Sequence, residues 1–111
     1  MLIFPLKKEW YEKIKSGEKT IEYREVKPYW TNRLNKPFGD LFQYNGTRIP
    51  SYPVEFDRFL FPCLLRLGYT KKYMSANIVK IQIVDGKDTD LHIDKPVYAI
   101  HLTDVKEIEN A

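Results

Sequence analysis

The chain of 111 residues predicts an α+β, mainly β fold: a small closed or nearly closed β-barrel with an N-terminal helix capping one opening. Three observations lead there. One amphipathic stretch, residues 7–16, repeats its apolar positions every fourth residue, as a helix does. Around it lie several short runs with the alternating or continuously apolar character of strands. Gly17, Asn45-Gly46 and Gly68 punctuate these segments. At this length one core is expected, so residues 1–111 are read as a single domain with no internal linker.

Each element follows from its residues. Met1 to Leu6 is a short apolar run whose Pro5 suits a strand end. A helix is expected from about Lys7 to Ser16, with Leu6, Trp10 and Ile14 as one stripe facing the core; Lys13 and Lys15 suit its negative C-terminal end, and Gly17 stops it. From Thr20 to Glu25 the side chains alternate, placing Thr20, Glu22 and Arg24 on one face and Ile21 and Tyr23 on the other. The second face is expected to be core and the first to be surface. Pro28 to Pro37 reads as about one helical turn with proline at its start. Asp40 to Tyr44 alternates weakly into the Asn45-Gly46 turn, and Arg48 to Pro53 is loop. Phe59 to Leu67, Ala76 to Val84 and Val97 to Leu102 read as strands, the last two separated by the polar stretch Asp85 to Lys95.

Composition narrows the function classes. A 43% hydrophobic and 30% charged chain with 14% aromatic residues has the material for a folded core and does not read as disordered. No apolar run reaches the ~20 residues that span a bilayer, and the first residues lack the pattern of a signal peptide, so a cytoplasmic protein with no membrane partner is expected. The lone Cys63 sits among apolar neighbours and reads as a small buried hydrophobe. His92 and His101 have no further histidine or cysteine to complete a ligand set, and no phosphate loop or nucleophile elbow is present, so neither a metal nor a cofactor is expected. With no signal for assembly, a monomer is the default.

Net charge is +3, and the basic residues crowd the first third of the chain, from Lys7 to Lys36, with a second group at Lys71, Lys72 and Lys80. Trp10, Tyr11, Tyr23, Tyr29 and Trp30 lie among them, either as stacking surfaces for bases or as core. The densest chemistry is Lys19, Thr20, Glu22 and Arg24. Lysine and arginine converging in a cleft hold phosphate, arginine through a bidentate fork, and Thr20 can donate to the same group. Glu22 can hold the arginine in place or accept a proton; alternatively it forms only an ion pair with Arg24 or Lys19, contributing roughly 0–1 kcal/mol if exposed. Tyr29, Trp30 and Arg33 form a second group that covers an end of the barrel or offers a stacking platform. Tyr69, Lys71 and Lys72 follow a glycine in a loop suited to phosphate contact or simply to solubility.

The run Ser16-Gly17-Glu18-Lys19-Thr20-Ile21-Glu22-Tyr23-Arg24 resembles the signature Gly-x-Lys-Thr-x-Glu-x-Arg of the ASCH domain, a relative of the PUA domain. Lys27-Pro28-Tyr29-Trp30 and the later Gly68-Tyr69 are similar to a branch found in bacteria and phages, and the order of elements agrees over nearly the whole chain, least well from Asp40 to Pro53. The resemblance implies a PUA-like barrel with a cleft beside the first helix that holds RNA, a nucleotide or a nucleoside. Some members are hydrolases: one subgroup removes acetyl from N4-acetylcytidine and another is described as a ribonuclease. The amidohydrolase subgroup matches Lys19 and Arg24 but carries threonine at the position of Glu22, and draws a further glutamate from a helical insertion longer than Asp85 to Lys95. A carboxylate is no alcohol nucleophile, and it favours the charged form of Lys19 over the base. The expectation is therefore a binder, with Lys19, Glu22 and Arg24 as catalytic residues only if the protein hydrolyses RNA or a modified nucleoside. A protein-interaction module is the further alternative.

Overall fold

The computed structural model describes residues 2–38, 54–57 and 61–108. Its frame is one six-stranded, curled half-barrel sheet accompanied by two helices. The strands are β1 (Leu2–Leu6), β2 (Ile21–Glu25), β3 (Val54–Glu55), β4 (Pro62–Leu67), β5 (Tyr73–Asp85) and β6 (Pro96–Ile108). They run in the order β1-β4-β5-β6-β2, with β3 added to β5; β1 pairs parallel with β4 and the other pairs are antiparallel. Two irregularities in the β5–β6 register, at Ser75/Asn77 and Ile78/Lys80, interrupt the long hairpin. Bulges of this kind bend a strand and increase its twist, and they let the two halves of β5 serve different neighbours, β4 first and β3 after.

The helix α1 (Lys8–Lys15) lies where periodicity placed it, with Lys7 and Ser16 as its flanking residues, and Gly17 turns the chain at φ +83°. Its buried residues are Tyr11 and Ile14, whereas Trp10 is half-buried. The expected stripe needs one correction: Tyr11, three residues before Ile14, is the fully buried residue, while Trp10 packs against the core only in part and also lines the gap between α1 and β2. The helix α2 (Pro28–Phe38) runs for 11 residues rather than about one turn. Trp30, Thr31 and Leu34 are buried along it, a helical spacing that polar Asn32 and Arg33 hid from a reading by composition.

A second correction concerns β2. Glu22 stands opposite Ile100 and Arg24 opposite Tyr98, and directly opposed residues share a face of the sheet. Ile100 and Tyr98 belong to the core cluster with Phe4, Leu65, Met74 and Ile81, so the charged face of β2 looks into the concave side of the sheet. Ile21 and Tyr23, expected to be core, are only half-buried. The strands β5 and β6 also extend beyond their expected limits, Ala76 to Val84 and Val97 to Leu102; of the strand expected from Phe59 to Leu67, β4 covers Pro62–Leu67 while Phe59 and Leu60 lie outside the described residues, and β3 was not foreseen. Asp40 to Tyr44, Asn45-Gly46 and the loop Arg48 to Pro53 lie outside the described residues. Cys63 is fully buried, and burial pushes its thiol up to about 12, consistent with a packing role. Among the described residues no helix is long and apolar enough to cross a membrane.

Candidate ligand-binding cleft

The strands β1 and β2 stand at opposite ends of the sheet order, and curling brings them to either side of a gap. A cavity of about 340 Å³ opens there, between the end of β1, the starts of α1 and α2, the inward face of β2 and the loop between β5 and β6. The sequence reading named Lys19, Glu22, Arg24 and Trp30 among its lining residues; Lys7, Trp10, Tyr23, Lys27 and Asp90 complete the part that bears on chemistry.

Glu22 forms the floor and is 6% exposed. Its Oε1 accepts from the Tyr23 N–H at 2.9 Å, while its Oε2 lies 3.6 Å from Arg24 Nη2 and has no hydrogen-bond partner among the described residues. Burial drives the carboxyl above its ordinary value, and the nearby charges of Arg24 and Lys19 oppose this only in part. Arg24 donates from Nη2 to the Pro5 carbonyl at 2.7 Å, and its guanidinium packs over Trp30 at 4.6 Å and Phe4 at 5.5 Å. Its Nε has no hydrogen-bond partner among the described residues, and burial lowers the guanidinium from its usual value, with Glu22 opposing. The expected ion pair therefore exists, but it is buried.

Lys19 is held differently. Its ammonium pairs with the Asp90 carboxylate and lies 4.8 Å from the centre of the Tyr23 ring and 5.1 Å from that of Trp10, so its side chain is only 10% exposed. Asp90 comes from the polar stretch after β5, where a short 3₁₀ turn, Gly86–Asp88, begins a loop that folds back on itself. A neighbouring cavity of about 290 Å³ shares Trp10, Lys19, Tyr23 and Asp90 and adds Thr20.

The remaining expected residues line neither cavity. Tyr29 and Trp30 divide the two roles foreseen for them: Trp30 is buried and stacks on Phe4 at 5.6 Å, while Tyr29 is exposed with Arg33 over its ring at 4.3 Å. Tyr69 is 87% exposed at the β4–β5 turn with Arg66 over its ring at 5.3 Å, and Lys71 and Lys72 are exposed beside it. That turn is tied to the cleft wall through Gly68, whose N–H donates to the Leu6 carbonyl at 2.7 Å. Asp90 escaped the sequence reading because 71 positions separate it from Lys19 and no spacing rule links them. Among the described residues no three histidine, cysteine, aspartate or glutamate side chains cluster as metal ligands. No family model matches this chain, and no curated protein or solved structure matches it, so the functional reading stands on the cleft itself.

Proposed function

We propose that this chain is an ASCH-type domain with a PUA-like barrel, and that it binds RNA or a nucleotide in the cleft between β1 and β2. The observation that carries this reading is the buried Glu22–Arg24 pair: both residues line a cavity of about 340 Å³, and each keeps one polar atom without a hydrogen-bond partner among the described residues. Buried polar atoms are normally satisfied, and a carboxyl and a guanidinium lining one cleft suit the edge of a base. Trp10 and Tyr23 supply aromatic surface of the kind on which bases stack, and the volume falls at the small end of ordinary ligand sites. A thermal-shift screen of nucleosides, nucleotides and short RNAs tests the reading, since a ligand at a hundredfold its dissociation constant stabilises by about 2.7 kcal/mol. No shift with any of them at low salt would count against it.

One observation favours a second reading, a small hydrolase acting on RNA or a modified nucleoside. A buried carboxyl held above its ordinary value in a cleft has the character of a general acid or base. The two readings share the site and differ in what Glu22 does there.

A further inference from the structure

The cleft does not present its charges evenly. Its two inner cations are already matched by carboxylates: Lys19 pairs with Asp90, and Arg24 lies 3.6 Å from Glu22 and donates to Pro5. Both side chains are largely covered, 10% and 18% exposed. An anion pushed in beside them would also meet Glu22 and Asp90, so the interior is poorly suited to phosphate. Glu25, also on the wall, is engaged 3.5 Å from Lys95. Lys7 and Lys27 line the same cavity, are exposed, and make no ion pair with a described carboxylate. They occupy equivalent places, Lys7 immediately before α1 and Lys27 immediately before α2, where the first-turn N–H groups of each helix add partial positive charge.

We propose, building on the nucleotide-binding reading, that the ligand enters with its uncharged heterocycle first. The base edge meets Glu22 Oε2 and Arg24 Nε, and the phosphate stays at the mouth against Lys7 and Lys27. The two orphaned atoms give the interior its specificity: one is an acceptor, or a donor when Glu22 is protonated, and the other is a donor. The required ligand is a nucleoside phosphate, free or within a strand of RNA, and inorganic phosphate alone is not a ligand. Lys19, which the sequence suggested as a phosphate anchor, becomes a positioning residue that holds the Asp90 loop, whereas Arg24, suggested for the same role, meets the base and also lies against Glu22.

Calorimetric titration of the four ribonucleosides, their 5′-monophosphates, inorganic phosphate and a short single-stranded RNA tests this, using wild type, Lys7→Ala/Lys27→Ala and Glu22→Gln. Wild type should prefer a monophosphate over its nucleoside by roughly tenfold at low salt, the factor given by about 1.4 kcal/mol, and added salt should weaken only the phosphorylated ligands. In Lys7→Ala/Lys27→Ala the preference and the salt dependence should vanish while nucleoside affinity is unchanged. In Glu22→Gln the choice among bases should change while the salt dependence persists. RNA binding more tightly than the monophosphate, with the same loss in the double variant, would support the proposal and make the ligand a strand; equal binding would support it and make the ligand a free nucleotide. A phosphate preference and salt dependence that survive in Lys7→Ala/Lys27→Ala would overturn the proposal and leave the cleft as a nucleotide site. If wild type binds none of these ligands, the nucleotide reading and the proposal fall together.

Discussion

Arg24 donates to the backbone carbonyl of Pro5 at 2.7 Å and so joins β2 to β1, the two ends of the sheet order. One side chain thus bridges the open side of the half-barrel and, through its contacts with Glu22 and Trp30, shapes the cleft floor. Replacing Arg24 with Met keeps much of the stem packing but removes the charge-assisted hydrogen bond and the partner of a buried carboxyl. We expect Arg24→Met to lose about 2–3 kcal/mol of stability by urea denaturation. Combining it with Glu22→Gln should recover part of that loss, since no buried charge is then left alone. Purely additive losses would show that the pair is not coupled.

Glu22 makes stability depend on pH in a definite direction. Its carboxyl is raised above the ordinary 4.5 by burial, so between 4.5 and the raised value the folded state holds a proton that the unfolded state has released. Stability therefore falls as pH rises through that window, and the penalty is fully present above it. Glu22→Gln resembles the protonated form and lacks this pH dependence. Its stability relative to wild type should increase from pH 4.5 upward, as read from denaturation midpoints between pH 4 and pH 8. A wild type that instead gained stability relative to Glu22→Gln over the same range would show that the Arg24 charge, not burial, dominates.

How much of this was legible follows from which contacts are local. The order β1, α1, β2, the stop at Gly17 and the closeness of Lys19, Glu22 and Arg24 all depend on neighbours within a few residues, and the sequence displays them. The facing of β2 was misread because hydrophobic alternation assigns Ile21 and Tyr23 to the core, whereas curling turns the charged face inward over a cleft. Trp10 was assigned to the core stripe by its period with Ile14, yet Tyr11 fills that place. Asp90 depends on a loop returning from the far end of β5, a tertiary fact that no local pattern carries.

That loop hinges on Gly86. A methyl group there would lie 2.6 Å from the carbonyl oxygens of Ile93 and Lys95 and 2.7 Å from Ile93 Cγ1, and backbone atoms cannot yield as a flexible side chain does. The Gly86 carbonyl also accepts from the Thr89 hydroxyl at 2.8 Å and the Ile93 N–H at 3.2 Å, which fixes the path leading to Asp90. Gly86→Ala should therefore cost about 1–3 kcal/mol and loosen the Lys19–Asp90 pair. Amide exchange at Thr89, His92 and Ile93 should accelerate; protection equal to wild type would refute the hinge.

Whether the cleft binds or reacts turns on Glu22. As a base, its carboxylate would take a proton from a water or a ribose 2′-hydroxyl while Lys19 and Arg24 steady the developing charge. The geometry works against this. Arg24 Nη2 lies 3.6 Å from Glu22 Oε2 and Lys19 is engaged by Asp90, so neither cation stands ready for charge that appears in the reaction. We therefore expect wild type to turn over neither N4-acetylcytidine nor short RNAs, while Glu22→Gln, which keeps shape and hydrogen bonding, still binds with an affinity within about tenfold of wild type. The measurement is a chromatographic assay of product run beside a binding titration on the same preparations. Product formation in wild type that disappears in Glu22→Gln with binding retained would make Glu22 a catalytic base and the protein a small hydrolase.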